Sequence, residues 1–142
     1  MKIRISTFLL ITILGSFFLF ANLALAQSSE DLAISAVETW LSLVDDGKYE
    51  GSWKATSSYF RNAVTKEQWI NSMNAYRKPL GKIITRKVES KQYTTSLPGA
   101  PDGEYVVIKC KTSFTNKKSA IETITPMKDK DGKWKVSGYY IK

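Results

Sequence analysis

The chain has no histidine and only one cysteine, Cys110. The first absence removes Ser-His and Cys-His nucleophile systems, His-ligated zinc sites and the side chain whose unperturbed pKa lies nearest neutrality. The second removes any internal disulfide, so stability must come from packing. No cysteine follows the N-terminal apolar run either, which excludes a lipid attached at a cleavage site there. The pattern calls for no metal or other cofactor.

What the N-terminus does have is Lys2 and Arg4, an apolar run from Phe8 to about Leu23, and Ala24-Leu25-Ala26. This is the layout of a secretory signal peptide, with cleavage expected after Ala26. The run is long enough that an uncleaved membrane anchor is the competing reading; the A-x-A site favours removal. The expected mature chain, Gln27 to Lys142, is 116 residues and the size of one domain with one core. It is expected in the periplasm or outside the cell, without a stable membrane anchor. Losing Lys2 and Arg4 takes the formal net charge from +8 to +6, which suits anionic partners in general. The basic residues are nonetheless scattered, in pairs such as Arg77-Lys78, Arg86-Lys87 and Lys117-Lys118, and read first as solubility.

Leu32, Ala36, Val37, Trp40, Leu41 and Val44 recur at three- and four-residue spacing and predict a helix from Ser28 to about Gly47. Ser28 or Ser29 suits its start, Glu30 and Asp31 suit the positive end of its dipole, and Gly47 its end. Asp45 and Asp46 lie at the wrong end for that dipole and read as turn formers. A short helix over Tyr49 to Thr56 and a turn over Ser57 to Ala63 follow. Thr65-Lys66-Glu67-Gln68 is a capping box that opens a helix carrying Trp69, Ile70, Met73 and Tyr76, stopped by Pro79.

Beyond Gly81 the period changes to that of strands. Ile83 to Tyr93 is the first, and Ser96 to Gly103 is a turn segment. Glu104 to Phe114 is the second, with Val106, Ile108, Cys110, Thr112 and Phe114 on one face. Cys110 there reads as a buried structural thiol. Asn116-Lys117-Lys118 turns the chain into a third strand, about Ala120 to Lys128. Asp129-Lys130-Asp131-Gly132 then turns it into the fourth; this turn lacks the ligands of a calcium loop at the positions that matter. Parity in the last strand sends Trp134, Val136, Gly138 and Tyr140 to one side and Lys133, Lys135, Ser137, Tyr139 and Ile141 to the other, with Gly138 allowing a bulge or bend. Segregated aromatic and basic rows argue against a nucleic-acid platform, which needs both on one exposed face.

Helices first and about four antiparallel strands after them make an α+β domain. The order resembles the nuclear-transport-factor-2-like, or cystatin-like, superfamily, in which a curved sheet wraps the helices into a cone. More closely, "WLSLVDDGKYEGSW", "VTKEQW", "RKPLG", "LPGAPDGEYVV", "TNKKSAIET" and "DGKWKVSGYYIK" resemble an exported bacterial family known as domain of unknown function 4019. That family name carries no activity. The wider resemblance implies an apolar pocket and, in some members, isomerase or dehydratase chemistry using Asp, Tyr and His.

Three functional readings follow. The first is a non-enzymatic ligand-binding or protein-interaction module of the cell envelope, with Trp40, Tyr59, Trp69, Trp134 and Tyr140 as candidate ligand-binding residues for an apolar or amphipathic molecule. The competing view is that these aromatics only fill the core. The second is a lyase or isomerase with Asp45, Asp46 or Glu122 as base and Tyr59 or Tyr140 as hydrogen-bond donor. The third is an electrostatic binder of anionic envelope polymers or of another protein, with homodimerisation through the sheet face as one form of it.

Overall fold

In the computed structural model, residues 27–142 are described; the leader reading lies outside them. Helix α1, Ser29–Asp45, begins where the Ser28 side chain accepts from the Asp31 amide. Its apolar stripe buries Ala33, Val37, Trp40, Leu41 and Val44. Full burial of side chains of this size contributes roughly 1.5–3 kcal/mol for each of the larger ones. Short helices α2, Tyr49–Lys54, and α3, Ser58–Ala63, follow, and α4 spans Lys66–Ser72. Both halves of the Thr65/Gln68 capping box are formed.

Helix α4 does not end at Ser72 but widens into a π-helical turn, Met73–Arg77, and a 3-10 turn, Lys78–Leu80, that contains Pro79. The wider turn buries Met73 and Arg77 while leaving Tyr76 exposed. Gly81 closes the helical half at φ 80°, a conformation that disfavours any side chain, and a Cβ there would lie 2.0 Å from Thr115 Oγ1.

Strands β1 Ile83–Thr94, β2 Tyr105–Phe114, β3 Lys117–Lys128 and β4 Trp134–Ile141 form one antiparallel meander in the order β1-β2-β3-β4. The architecture is therefore α+β, helices followed by an open four-stranded sheet. The β2 row Val106, Ile108, Cys110, Thr112 and Phe114 is buried throughout, as its alternation predicts. The β2–β3 turn is tighter than the sequence suggests: Thr115 and Asn116 make it, and Lys117 already pairs with Phe114.

The parity expected for β4 fails at its midpoint. Thr125 pairs with Gly138 but Pro126 pairs with Val136, so Ser137 is an extra residue, its hydroxyl donating to the Thr125 carbonyl at 2.8 Å. Pro126 has no amide proton to give a ladder and stands opposite this bulge, the usual place for proline inside a sheet. Before the bulge Val136 faces the helices; after it Tyr139 does, packed on the core, and Tyr140 projects to the other side, 57% exposed.

Asp129 locks the β3–β4 turn to α3. Its carboxylate accepts from the Ser58 amide at 2.9 Å and the Ser58 hydroxyl at 2.6 Å, and Lys135 lies 3.5 Å away. Burial pushes this carboxyl up, but the Ser58 and Lys130 donors and Lys135 outweigh it and hold its pKa well below the usual carboxylate range. A depressed pKa contributes stability that is complete above the unfolded value of about 3.9 and is lost as pH falls toward the folded one. Urea midpoints should therefore be flat down to about pH 5 and drop below about pH 4. In Asp129→Asn the drop should be shallower, and an unchanged slope would contradict this role.

Candidate functional site

Each strand contributes one residue to a buried polar cluster. Arg86 of β1 donates through Nε to Glu122 Oε1 at 2.6 Å and through Nη2 to Glu122 Oε2 at 3.1 Å. Thr112 of β2 donates to Glu122 Oε1 at 2.5 Å, and Tyr139 of β4 donates to Glu122 Oε2 at 2.6 Å. Glu122 of β3 is fully buried. The other side of Arg86 grips Asp45 at the end of α1 through two bonds of 2.7 and 3.0 Å, and Arg77 reaches the same carboxylate at 3.1 Å. Arg77 also donates to the Gly81 carbonyl at 2.6 Å and lies over the Phe114 ring, 4.6 Å from its centroid.

The charges balance, two carboxylates against two guanidiniums, which is how buried charge is tolerated. Burial disfavours the charged form of Arg86, but its bonds to Asp45 and Glu122 more than reverse this and raise its pKa. Burial likewise pushes Asp45 up, and Arg86 and Arg77 bring it below its ordinary value. Tyr139 is pushed well above its ordinary value by burial and by the adjacent Glu122 charge, so its hydroxyl stays a donor. Burial, with Glu122 nearby, pushes the Cys110 thiol up to about 11 and keeps it unreactive.

Asp45 is thus not merely a turn former; two arginines offset its unfavourable place on the helix dipole. Reading Arg77 and Arg86 as solubility residues is likewise overturned. Residue type carried the signal: residues 27–142 contain three arginines, against sixteen lysines. All three bind inside the fold, Arg61 to the carbonyls of Lys54 and Thr56. The planar fork suits such buried, multiply bonded positions, whereas lysine is left to the surface. The proton-transfer geometry also differs from expectation. Tyr139, not Tyr59 or Tyr140, meets Glu122, and four donor contacts occupy that carboxylate, leaving it poorly placed as a base.

Beside this cluster lies a groove of about 540 Å³. One wall is helical: Phe60 of α3, Val64, Trp69 of α4, and Met73, Tyr76 and Leu80 beyond it. The other is the end of β4, Tyr139 to Lys142, with Lys117 close by. The surface is mainly apolar, and Tyr76 and Tyr140, the two most exposed large hydrophobic side chains among the described residues, both border it.

Of the aromatics singled out by sequence, Trp69 and Tyr140 line this groove. Trp40 is in the core, its indole donating to the Ser52 carbonyl at 2.8 Å and its ring 5.2 Å from Tyr139 in an edge contact. Trp134 packs at the edge of the core and, with Leu32 and Ala36, borders a separate hollow. Tyr59 lies on the surface with its hydroxyl donating to Gly99 at 3.3 Å, outside the groove. Met73, Tyr76 and Tyr139 are groove residues that the ligand reading did not include. The π-helical turn places the first two and the bulge places the third. The mid-strand Pro126 was the available sign of the bulge.

Among the described residues no group of three or more His, Cys, Asp or Glu side chains is arranged to hold a metal, and no helix is long and apolar enough to cross a membrane.

Fold and site together define an α+β domain with a neutral buried ion cluster spanning its sheet and an apolar groove beside it. The family model described as protein of unknown function (DUF4019) matches residues 36–139, and the chain belongs to that family. No curated protein and no solved structure matches it.

Proposed function

We propose that this protein is a non-enzymatic binding module of the bacterial cell envelope, exported by its leader and built on the nuclear-transport-factor-2-like plan, and that the groove between α4 and β4 receives the apolar part of its ligand. The observation that carries this reading is the pairing of an open apolar groove with exposed tyrosines at its border, next to carboxylates already occupied by donors. Exposed aromatic rings beside a concave apolar surface favour contact with another molecule over contact with water. Export is checked by the intact mass of protein recovered from the periplasm, which should begin at Gln27.

The groove is tested with 8-anilinonaphthalene-1-sulfonate as an apolar probe. Tyr76→Ala/Tyr140→Ala should change stability by no more than about 0.5 kcal/mol per site, as exposed positions do. It should weaken the probe roughly fivefold or more, as loss of aromatic contacts does. Equal probe binding by the variant and the parent would remove the groove from consideration.

A further inference from the structure

The border of the groove formed by β4 is a strand edge, which favours a particular kind of ligand. Lys142 and Ile121 exchange both main-chain hydrogen bonds, at 2.9 and 3.0 Å. In an antiparallel ladder such pairs alternate with pairs whose N–H and C=O groups point away from the partner. Ile141, opposite Glu122, and Tyr139, opposite Ile124, are therefore the residues whose amides and carbonyls point off the free edge of β4. Further back the same edge is covered, because the Ser57 amide donates to the Val136 carbonyl at 2.9 Å. No such cover reaches Tyr139 or Ile141 from the main chain of the described residues. The uncovered edge is thus a short stretch, and it lies along the apolar groove.

A small apolar molecule has no use for a row of main-chain donors and acceptors, whereas an extended peptide uses them as a fifth strand while its alternate side chains enter the groove. The Lys117 and Lys142 side chains stand at this end, and among the described residues neither is in an ion pair. We infer that the groove captures a short extended peptide segment with apolar side chains at alternate positions and an acidic end, paired to β4 at Tyr139 and Ile141. This inference rests on the groove reading and specifies its ligand.

The test uses the mature chain and the acetylated hexapeptide Thr-Val-Thr-Val-Asp-Glu, a version with alternate amides N-methylated, and a version ending in Lys-Lys. Binding is followed by fluorescence anisotropy of labelled peptide and by amide NMR shifts. Saturable binding that moves the Tyr139 and Ile141 amides is expected. N-methylation should weaken it roughly tenfold or more by removing the paired donors, and the Lys-Lys version should bind less well than the acidic one. Ile141→Pro deletes one outward amide at an edge position where proline is tolerated; with an unchanged circular dichroism spectrum, it should also abolish the gain from the unmethylated backbone.

Equal binding of the methylated and unmethylated peptides would overturn the inference, as would no binding at all. If the peptides fail while 8-anilinonaphthalene-1-sulfonate still shifts groove amides, only the peptide ligand is lost. If neither shifts them, the groove reading falls with it. Concentration-dependent dimerisation that shifts the same amides would instead assign the edge to a second copy of this chain and overturn the peptide inference.

Discussion

Replacing Arg86 with methionine is expected to lower the unfolding free energy by about 3–5 kcal/mol, the usual cost of leaving a buried charge without its partner. Arg86 makes two bonds to each of two carboxylates, and one of these, Glu122, has no contact with water. Methionine keeps most of the volume and none of the donors, so Glu122 would retain only Thr112 and Tyr139. Urea unfolding at pH 7, with equal slopes for parent and variant, is the measurement. Lysine at position 86 should recover only part of the loss, because one ammonium cannot reproduce the two-sided fork. Arg86→Met/Glu122→Leu should be less damaged than the two single variants added together, since removing both charges leaves no orphan between them. Loss of less than about 1 kcal/mol in Arg86→Met would show that the cluster does not organise the fold.

Trp40→Ala should be comparably severe, about 3–5 kcal/mol, by leaving a cavity in the core. The ring is wedged between Trp69, with centroids 5.9 Å apart, and Tyr139, and its indole satisfies the Ser52 carbonyl of α2. Since single domains are stable by only about 5–15 kcal/mol, such a loss consumes a large share of the total. Trp40→Phe separates the two contributions, keeping most of the packing while abandoning the Ser52 carbonyl. It should cost about 1–3 kcal/mol, the penalty for a buried acceptor left alone. Near-parent stability of Trp40→Ala, coupled to a loss of probe binding, would instead make Trp40 a ligand contact.

Local physics explains which parts of this molecule were legible beforehand. The α1 stripe from Val37 to Val44, the capping box at Thr65 and the buried row of β2 each depend on neighbours within a few residues, and each was readable, whereas at the start of α1 Ala33 is buried and Leu32 is exposed. Arg86 and Glu122 are 36 residues apart, and Asp45 is 41 from Arg86. No short-range pattern links such residues, so a carboxylate at a helix end read as a turn former and an arginine in a basic pair as a surface charge. The groove was only half legible for a related reason. Trp69 and Tyr140 were picked out for their chemistry, but their neighbours Met73, Tyr76 and Tyr139 depend on a π-helical turn and a bulge that shift the count of residues along an element.

Ser137 therefore acts on β4 as a shift of reading frame acts on a message. Everything upstream of it faces one way by odd-and-even counting, and everything downstream faces by the opposite count. Deleting this one residue while keeping the ladder would leave Val136 opposite Pro126, Gly138 opposite Thr125 and Tyr139 opposite Ile124, so Tyr139 would still face the helices. Ironing the bulge out, with Ser137 paired to Thr125, would instead put Gly138 opposite Ile124 and Tyr140 opposite Glu122, and Tyr139 and Ile141 would leave the helix-facing layer. What keeps Tyr139 and Ile141 against the helices is thus that Ser137 stays out of the ladder, and the pairing here is constrained by parity as much as by length.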